Sequence, residues 1–424
     1  MLSMLLPLAC TSPPEPAVVV PDEEEPQVFD TQPVEVVEAA SCEASVELGS
    51  VEGLVRWPYL QLGTPDGMTV LWGGPVDSEA AELGWGRTDT EWSVEATSTV
   101  IEGMNGDFRL FQARAEGLQP GTEYCYRVVV DGVVLAEGLR FKSAPDSTNA
   151  PLKFLVIGDF GAGTPEQYAI HDRMLEHVEG AELLITTGDN AYNSGTWAEV
   201  DEFVFGVNRD ILHRVVTYPT AGNHDYGTDQ GAPYLANWVL PENAWRFGDK
   251  ERYYSVGWGP LLLLALDTER PLGEVSSEAT DDQLDWLQAQ LEAIDRPWVV
   301  PAFHKPGVEG HATRGPDIFV LSYFVPLFEQ YGLRLVLTGH NHHYERFRPL
   351  GEQATVEVPK GVTYVVTGGG GRGLYDLDPE EPRRAVGLRQ HHFLVGQATT
   401  CSLDLTAINI DGEVIDQFGL RRCQ

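Results

Sequence analysis

Five segments of the sequence place polar side chains directly after a glycine or an apolar run. Their side chains offer carboxylate, phenol, amide and imidazole groups and no thiolate, a donor set that suits iron, manganese and zinc. The number of these donors is too large for one tetrahedral site and fits two ions that keep solvent positions open. The seven candidate metal ligands are Asp159, Asp189, Tyr192, Asn223, His304, His340 and His342.

Two metal ions held about 3.5–4 Å apart need a carboxylate that both can bind. Such a pair polarises a phosphoryl oxygen, makes hydroxide available near neutral pH and stabilises an in-line displacement. The sequence therefore predicts a two-metal site for the hydrolysis of phosphate esters.

Each candidate ligand also has a structural interpretation. Asp159 and Asp189 could cap helices, and Tyr192 could be a packed aromatic residue. Asn223 could serve a turn through its tolerance of left-handed geometry, and His304 could be a buried core histidine. The ordered set favours the metal interpretation over five separate coincidences.

Strands alternating with helices must position these side chains, because each segment follows an apolar run that is typical of a buried strand. Ligand sites in such folds assemble at the carboxyl ends of the strands. The predicted strands cover 154–158, 183–187, 215–218, 261–266, 298–303, 333–338 and 362–367, and the predicted helices lie near 166–178, 197–212, 281–294 and 319–331.

Residues 42–147 have a different pattern, with short alternating runs separated by turns that contain Gly and Pro. This pattern is typical of a β-sandwich. The segment from Leu118 to Tyr124 matches the tyrosine corner of fibronectin type III-like domains, in which a Tyr bonds back across the preceding turn. An all-β domain is therefore expected here.

The five segments in order resemble the signature of calcineurin-like metallophosphoesterases. The Tyr in Gly188-Asp-x-x-Tyr192 and the string Gly339-His-Asn-His-His-Tyr-Glu-Arg346 resemble the motifs of purple acid phosphatases. The resemblance implies an α/β fold, a two-sheet β-sandwich flanked by helices, over residues 148–424. It also implies a fibronectin type III-like domain over 42–147, like the one that precedes the catalytic domain in the larger members.

The resemblance implies a role for each candidate ligand. Asp189 would bridge the two metals. The first metal, usually Fe(III), would be bound by Asp159, Tyr192 and His342, and the second, a divalent Zn, Fe or Mn, by Asn223, His304 and His340.

Two further histidines are candidates for contact with the substrate, together with Asn223. His224 follows the ligand Asn and would act as an acid or a phosphate-binding group. His311 lies in the loop after His304 and would act similarly, although this loop departs from the paired histidines of the plant enzymes. His343 and the pair His391–His392 lie outside the ligand pattern.

The expected reaction is hydrolysis of phosphate monoesters, an acid phosphatase activity, by a metal-activated hydroxide. A phosphodiesterase or an alkaline-optimum phosphatase would use the same site. An inactive surface binding or adhesion module is the alternative of another class. The glycine run 368–371 is expected to serve close packing rather than phosphate binding.

The charge balance limits the partners. With 28 basic and 64 acidic residues the net charge is −36, and such a field repels nucleic acids and anionic membranes. It also repels phosphate esters, so a small phosphate-ester substrate requires local positive charge, which bound metal ions supply. The resemblance leaves a homodimer open, because the family often dimerises.

The first 41 residues resemble a bacterial lipoprotein signal followed by an acidic, Pro-rich linker. A short apolar run ends in Leu-Ala-Cys10, which would carry the lipid and be the only membrane contact. An ordinary cleaved signal and a disordered tail are the alternatives. Export to the periplasm, the outer membrane, the cell surface or the medium would permit disulfides, and proximity favours Cys42–Cys125 and Cys401–Cys423 among three possible pairings.

Overall fold

A computed structural model describes residues 42, 52–88, 90–269, 277–350 and 361–423, with the side chains of 277–281 left out. The predicted lipoprotein signal, including Cys10, lies outside the described residues. None of the described helices is long and apolar enough to cross a membrane.

Two four-stranded antiparallel sheets form the N-terminal part. Their strand orders are β1-β2-β6-β5 and β4-β3-β7-β8. Alternate residues along β7 are buried, because successive side chains of a strand point to opposite faces. The strands are β1 (Arg56–Thr64), β2 (Gly67–Gly74), β3 (Ala81–Gly86), β4 (Trp92–Glu95), β5 (Thr97–Ile101), β6 (Phe108–Glu116), β7 (Glu123–Val130) and β8 (Val133–Lys142).

The predicted corner is present in this all-β part. The backbone N–H of Gln119 donates to the hydroxyl oxygen of Tyr124 at 2.8 Å, and the ring of Tyr124 is buried. The disulfide between Cys42 and Cys125 ties the start of the described chain to β7. This pairing and Cys401–Cys423 are both as predicted.

Two further sheets follow, with orders β11-β10-β9-β19-β20-β21 and β12-β13-β14-β15-β17-β16-β18. Strands β9, β10 and β11 are parallel, and so are β13, β14, β15 and β17. The strands are β9 (Leu152–Ile157), β10 (Leu183–Thr186), β11 (Val216–Tyr218), β12 (Tyr254–Trp258), β13 (Leu261–Ala265), β14 (Trp298–Phe303), β15 (Leu335–Thr338), β16 (Tyr344–Phe347), β17 (Thr363–Thr367), β18 (Arg384–Leu388), β19 (His392–Ala398), β20 (Ser402–Asn409) and β21 (Val414–Arg421).

The helices lie close to the predicted positions. Thr164 caps helix α1, because its hydroxyl accepts a hydrogen bond from the N–H of Gln167 at 3.2 Å. Pro165 suits the first position of the helix, where a backbone N–H would have no partner within the helix. The helical segments are α1 (Pro165–His177), α2 (Trp197–Glu199) continuing through a π-helix (Val200–Gly206) into α3 (Val207–Leu212), α4 (Ala232–Asn237), α5 (Ser277–Glu292), and a π-helix (Val320–Phe324) leading into α6 (Val325–Gln330).

The seven-stranded sheet is buried on both faces. Along β13, Leu261 and Leu263 join the cluster that contains Phe154 of the six-stranded sheet. Leu262 and Leu264 join a second cluster that includes residues of α5 and α6. Burial on both faces explains why these strands read as continuous apolar runs. The expected two-sheet sandwich flanked by helices is thus present.

The N-terminal sheets pack on the sandwich through buried polar contacts. Arg56 forms a 2.8 Å ion pair with Asp201, and its guanidinium also donates to Asn237. The hydroxyl of Tyr126 donates to the backbone carbonyl of His213 at 2.5 Å. The guanidinium of Arg56 and the hydroxyl of Tyr126 therefore each have a partner in this contact.

Candidate metal centre

The predicted ligands follow the carboxyl ends of strands in both sandwich sheets. Asp159 and Asp189 follow the parallel strands β9 and β10, and His304 and His340 follow the parallel strands β14 and β15. Asp159, Asp189 and His340 have φ angles of 58°, 50° and 69°, a left-handed conformation that is unfavourable for residues other than Gly. Such strained residues concentrate at functional sites.

One set of donors surrounds the phenol of Tyr192. Its hydroxyl oxygen lies 3.0 Å from Oδ1 of Asp159, 2.9 Å from Oδ2 of Asp189 and 3.2 Å from Nε2 of His342. Nε2 of His342 is also 3.3 Å from Oδ1 of Asp159. We call these four residues the phenol set.

A second set surrounds the imidazole of His304. Its Nε2 lies 3.3 Å from Oδ2 of Asp189, 3.2 Å from Oδ1 of Asn223 and 3.1 Å from Nδ1 of His340. We call these four residues the amide set. Oδ2 of Asp189 belongs to both sets, so the structure brings all seven candidate ligands together around one shared carboxylate oxygen.

Backbone carbonyls orient two of the histidines. Nδ1 of His304 donates to the carbonyl of Thr187 at 2.9 Å, and Nδ1 of His342 donates to the carbonyl of Gly373 at 2.8 Å. A proton on Nδ1 leaves Nε2 with its lone pair directed at the other donors. Hydrogen bonds from Nδ1 to backbone carbonyls are the support that metal-binding histidines need, so the donor set fits a pair of ions.

The electrostatics of the cluster point the same way. Burial alone would raise the pKa of Asp189, but His304 and His224 hold it well below its ordinary value. Burial opposes a charge on His304, yet the Asp189 and Asp159 carboxylates raise its pKa to about 10. Burial and the charge on His304 lower the pKa of His340 to about 2. A proton on His304 thus balances charge where a cation would do so more effectively.

His224 stands at the open side of the cluster. Its backbone N–H donates to Oδ1 of Asp189 at 2.8 Å, and its Nδ1 lies 2.5 Å from the carbonyl oxygen of Asn193. Nε2 is 3.8 Å from Oδ2 of Asp189, and a third of the side chain (33%) is exposed. The imidazole can therefore meet a ligand from solvent while it contacts the donor cluster.

His311 lies farther out. Its Nδ1 accepts from the backbone N–H groups of Thr313 and Arg314, both at 3.0 Å. Its ring is 5.2 Å from that of Tyr375, which in turn stacks on His342 at 4.0 Å. His311 reaches the cluster through Tyr375, and its contact with substrate stays a prediction.

The other histidines have local roles. Nε2 of His343 lies 3.2 Å from Oε2 of Glu345, and both side chains are fully buried. His392 begins β19, as expected for a strand residue, and its Nε2 lies 3.0 Å from the hydroxyl of Thr367. His391 precedes it, with Nδ1 3.2 Å from a backbone carbonyl.

Glycines bring the loops into contact. A Cβ on Gly222 would lie 2.2 Å from the backbone N of Asp189, and one on Gly368 would lie 2.4 Å from the carbonyl oxygen of Asn341. No side chain fits at either distance. The glycine run that begins at Gly368 therefore serves close packing, as expected.

Sequence reasoning gave no role to several residues of the site. Asp225 accepts from the backbone N–H groups of Asn190 and Gly222 at 3.1 and 2.8 Å, which ties two of the ligand loops together. Its place next to His224 was the available signal. No spacing in the sequence pointed to Tyr375 or Arg372, whose contacts are long-range.

Comparisons with known proteins match both parts of the chain. The calcineurin-like phosphoesterase family matches residues 152–344, which contain all seven candidate ligands. The purple acid phosphatase N-terminal domain matches residues 57–143, the region of the two four-stranded sheets.

Individual relatives agree with these matches. Purple acid phosphatase 21 of Arabidopsis thaliana is 28% identical over 300 residues, covering 67% of this chain and 63% of the relative. Another Arabidopsis thaliana protein, named probable inactive purple acid phosphatase 27, is 24% identical over 396 residues, covering 78% and 63%. The chain thus spans less than two thirds of the length of these two relatives.

A solved structure shows the same fold. The purple acid phosphatase from yellow lupin (Lupinus luteus) seeds aligns with a TM-score of 0.72 at 18% identity, covering 87% of this chain and 75% of that one. We conclude that the chain carries a calcineurin-like metallophosphoesterase domain preceded by a purple acid phosphatase N-terminal domain.

Proposed function

We propose that the protein is an acid phosphatase that hydrolyses phosphate monoesters at a centre of two metal ions. The observation that supports this most directly is the position of Asp189, whose Oδ2 is within 3.3 Å of donors from both the phenol set and the amide set. A carboxylate oxygen shared in this way suits a bridging ligand between two ions.

The two sets suit different ions. The phenol set offers two carboxylates and a phenol, which favours Fe(III). The amide set offers imidazoles and an amide, which favours a divalent Zn, Fe or Mn. Bound there, the ions would polarise the phosphoryl oxygens and make hydroxide available near neutral pH.

His224 is the proposed proton donor to the leaving alcohol. The N–H at Nδ1 donates a hydrogen bond to the carbonyl of Asn193 at 2.5 Å. Nε2 is therefore the atom that remains free to contact the substrate. Its partial exposure lets the leaving group depart into solvent. Asn223 and His311 are further candidates for contact with the substrate.

Two alternatives use the same geometry differently. A phosphodiesterase or an alkaline-optimum phosphatase would have the same donors. An inactive binding module has a precedent in the name of one relative. The complete donor set, whose two halves are linked through Asp189, favours an active enzyme.

The test uses the full chain reconstituted with iron and zinc. Nitrophenyl phosphate should be hydrolysed faster than bis-nitrophenyl phosphate, with the higher rate at acidic pH. His224→Asn should lower kcat at least about a hundredfold, because a general acid contributes that much. His177→Asn, on the surface of α1, is the matched control. Metal-loaded protein that hydrolyses neither ester at any pH would reject the proposal.

Export is the second part of the proposal. Both disulfides suit an oxidising compartment. Cys10 would carry a lipid anchor, so Cys10→Ser should move the protein from the membrane to the soluble fraction of its cells. An unchanged distribution would reject the anchor and leave export itself to be tested by localisation.

A further inference from the structure

We propose that Arg314 and Arg372 form a specificity site for an anionic group on the leaving portion of the substrate. This inference rests on the proposed hydrolysis of phosphate esters. It names the substrate class: esters whose leaving alcohol carries a carboxylate or a second phosphate.

The exposure of its residues shows where the cluster opens to solvent. Asp159, Asp189 and Tyr192 are at most 2% exposed, so they form the floor of the site. His224 is partly exposed and Arg314 is exposed. His224 and Arg314 are therefore among the residues that a leaving group would meet on its way from the floor to solvent.

Arg372 borders the phenol set. Its guanidinium carbon lies 4.9 Å from the ring centroid of Tyr192, and Nη2 donates to Oδ1 of Asn193 at 2.6 Å. The backbone carbonyl of the same Asn193 holds His224. One residue thus places the proposed proton donor and a cation side by side.

Arg314 borders the amide set. Its Nη1 lies 3.5 Å from Nε2 of His340, and its guanidinium carbon is 4.6 Å from the ring of Tyr375. Tyr375 itself stacks on His342. The two arginines therefore flank the cluster at different sets, and each is held by an aromatic ring.

The positive charges of Arg314 and Arg372 are not balanced by carboxylates within the described part of the chain. Among the described residues, neither guanidinium forms an ion pair with a carboxylate, whereas Arg346 pairs with Asp416 and Arg384 pairs with Glu345 at 2.6 and 2.7 Å. This contrast is informative in a chain with 64 acidic and 28 basic residues, where carboxylates are plentiful. A planar guanidinium binds carboxylate and phosphate through paired hydrogen bonds.

The number of positive charges around the site indicates a role for these arginines in binding an anion. Metal ions held by the two sets would supply positive charge to the phosphoryl group that reacts. Two further positive charges at the exit suit an additional negative group, and they also draw such substrates through the repulsive field of the chain.

The test compares 4-carboxyphenyl phosphate with its methyl ester, which differs in one negative charge. The wild-type enzyme should favour the carboxylate, and added salt should reduce this preference. Arg314→Gln and Arg372→Gln should each reduce the ratio of the two kcat/KM values several-fold, and the double variant about tenfold or more. Arg314→Lys should retain part of the preference. Arg140→Gln, which makes the same change of charge on the N-terminal sheets, should retain all of it.

Binding gives an independent readout. Calorimetry with 4-carboxybenzylphosphonate and its carboxylate methyl ester should show the same loss of discrimination in the double variant. Hydrolysis of 1,4-phenylene bisphosphate, whose leaving phenol carries a second phosphate, forms the second arm. A loss confined to the bisphosphate assigns the site to phosphate, and a loss confined to the carboxylate substrate assigns it to carboxylates. Discrimination that is absent in the wild type, or unchanged in the double variant, overturns the inference while hydrolysis of the methyl ester upholds the proposed function. Failure to hydrolyse either ester rejects the proposed function, and the calorimetric comparison still decides the role of the arginines.

Discussion

The phenol set and the amide set share one oxygen atom and differ in almost everything else. Tyr192 and His342 are 2% and 3% exposed, and Tyr375 covers the imidazole of His342. In the amide set, Asn223 and His340 are partly exposed. An ion in the phenol set would therefore be enclosed by charged and phenolic donors. An ion in the amide set would face the substrate and exchange more readily.

The cause of this asymmetry lies in the supporting elements. The phenol set is closed by the segment after β17, which supplies both the carbonyl of Gly373 and the ring of Tyr375. The amide set is bordered on its outer side by Arg314, which is itself exposed. Enclosure therefore comes from a segment that holds none of the seven candidate ligands.

Loss of the shared oxygen should have the largest effect. Asp189→Asn should remove both ions and lower kcat/KM by roughly a thousandfold or more, because both sets depend on this carboxylate. Metal content by mass spectrometry and hydrolysis of nitrophenyl phosphate measure it. Asp172→Asn, on the exposed face of α1, is the control. Retention of one full ion would show that Asp189 does not bridge.

Damage to the amide set alone should be selective. Asn223→Ala should lower the affinity for the second ion and kcat/KM by about a hundredfold, while the iron and its visible absorption stay. Titration of the divalent ion into the iron-loaded protein measures the affinity. Equal loss of both ions would remove the proposed difference between the sets.

Damage to the phenol set should be seen in the spectrum first. Tyr192→Phe should abolish the visible band of a phenolate bound to Fe(III) and lower iron affinity about tenfold, with a smaller loss of kcat. Tyr168→Phe, on the surface of α1, should change neither. A band that survives in Tyr192→Phe would place another ligand on the iron.

The smallest expected effect is the release of a proton from His304 when an ion binds to the amide set. The pKa of His304 is about 10 because Asp189 and Asp159 outweigh the effect of burial, so His304 is protonated at neutral pH without metal. An ion can take its Nε2 only after that proton leaves. Apparent affinity for the second ion should therefore rise about tenfold per pH unit up to the pKa of His304. Calorimetry in buffers of different ionisation enthalpy measures the released proton, and pH-independent binding would contradict this assignment.

Much of the fold was predictable because its strands are buried on both faces. The runs at β9, β13, β14 and β15 are continuous and apolar, and each is followed by a turn with polar residues. The positions of these strands along the chain were therefore predictable. The π-helix Val200–Gly206 was not, because its 7 residues are too few for a sequence pattern to distinguish i→i+5 from i→i+4 hydrogen bonding.

The site was predictable in its members and less so in its surroundings. All seven candidate ligands meet in the structure, because the carboxyl ends of strands from both sandwich sheets converge there. No role was predicted for Tyr375 or Asn193, because neither belongs to a recognised motif. His311 was chosen for its residue type in a suitable loop, and its backbone contacts show that its loop turns it toward Tyr375 rather than toward the shared oxygen.

Local spacing and apolar periodicity were enough to identify the side chains of the cluster and to place them at strand ends. The fold was needed to show which oxygen of Asp189 is shared and which nitrogen of His304, His340 and His342 faces the other donors. It also placed Arg372 against Asn193, across 179 positions of the chain. Such contacts depend on the packing of distant segments, and no local pattern encodes them.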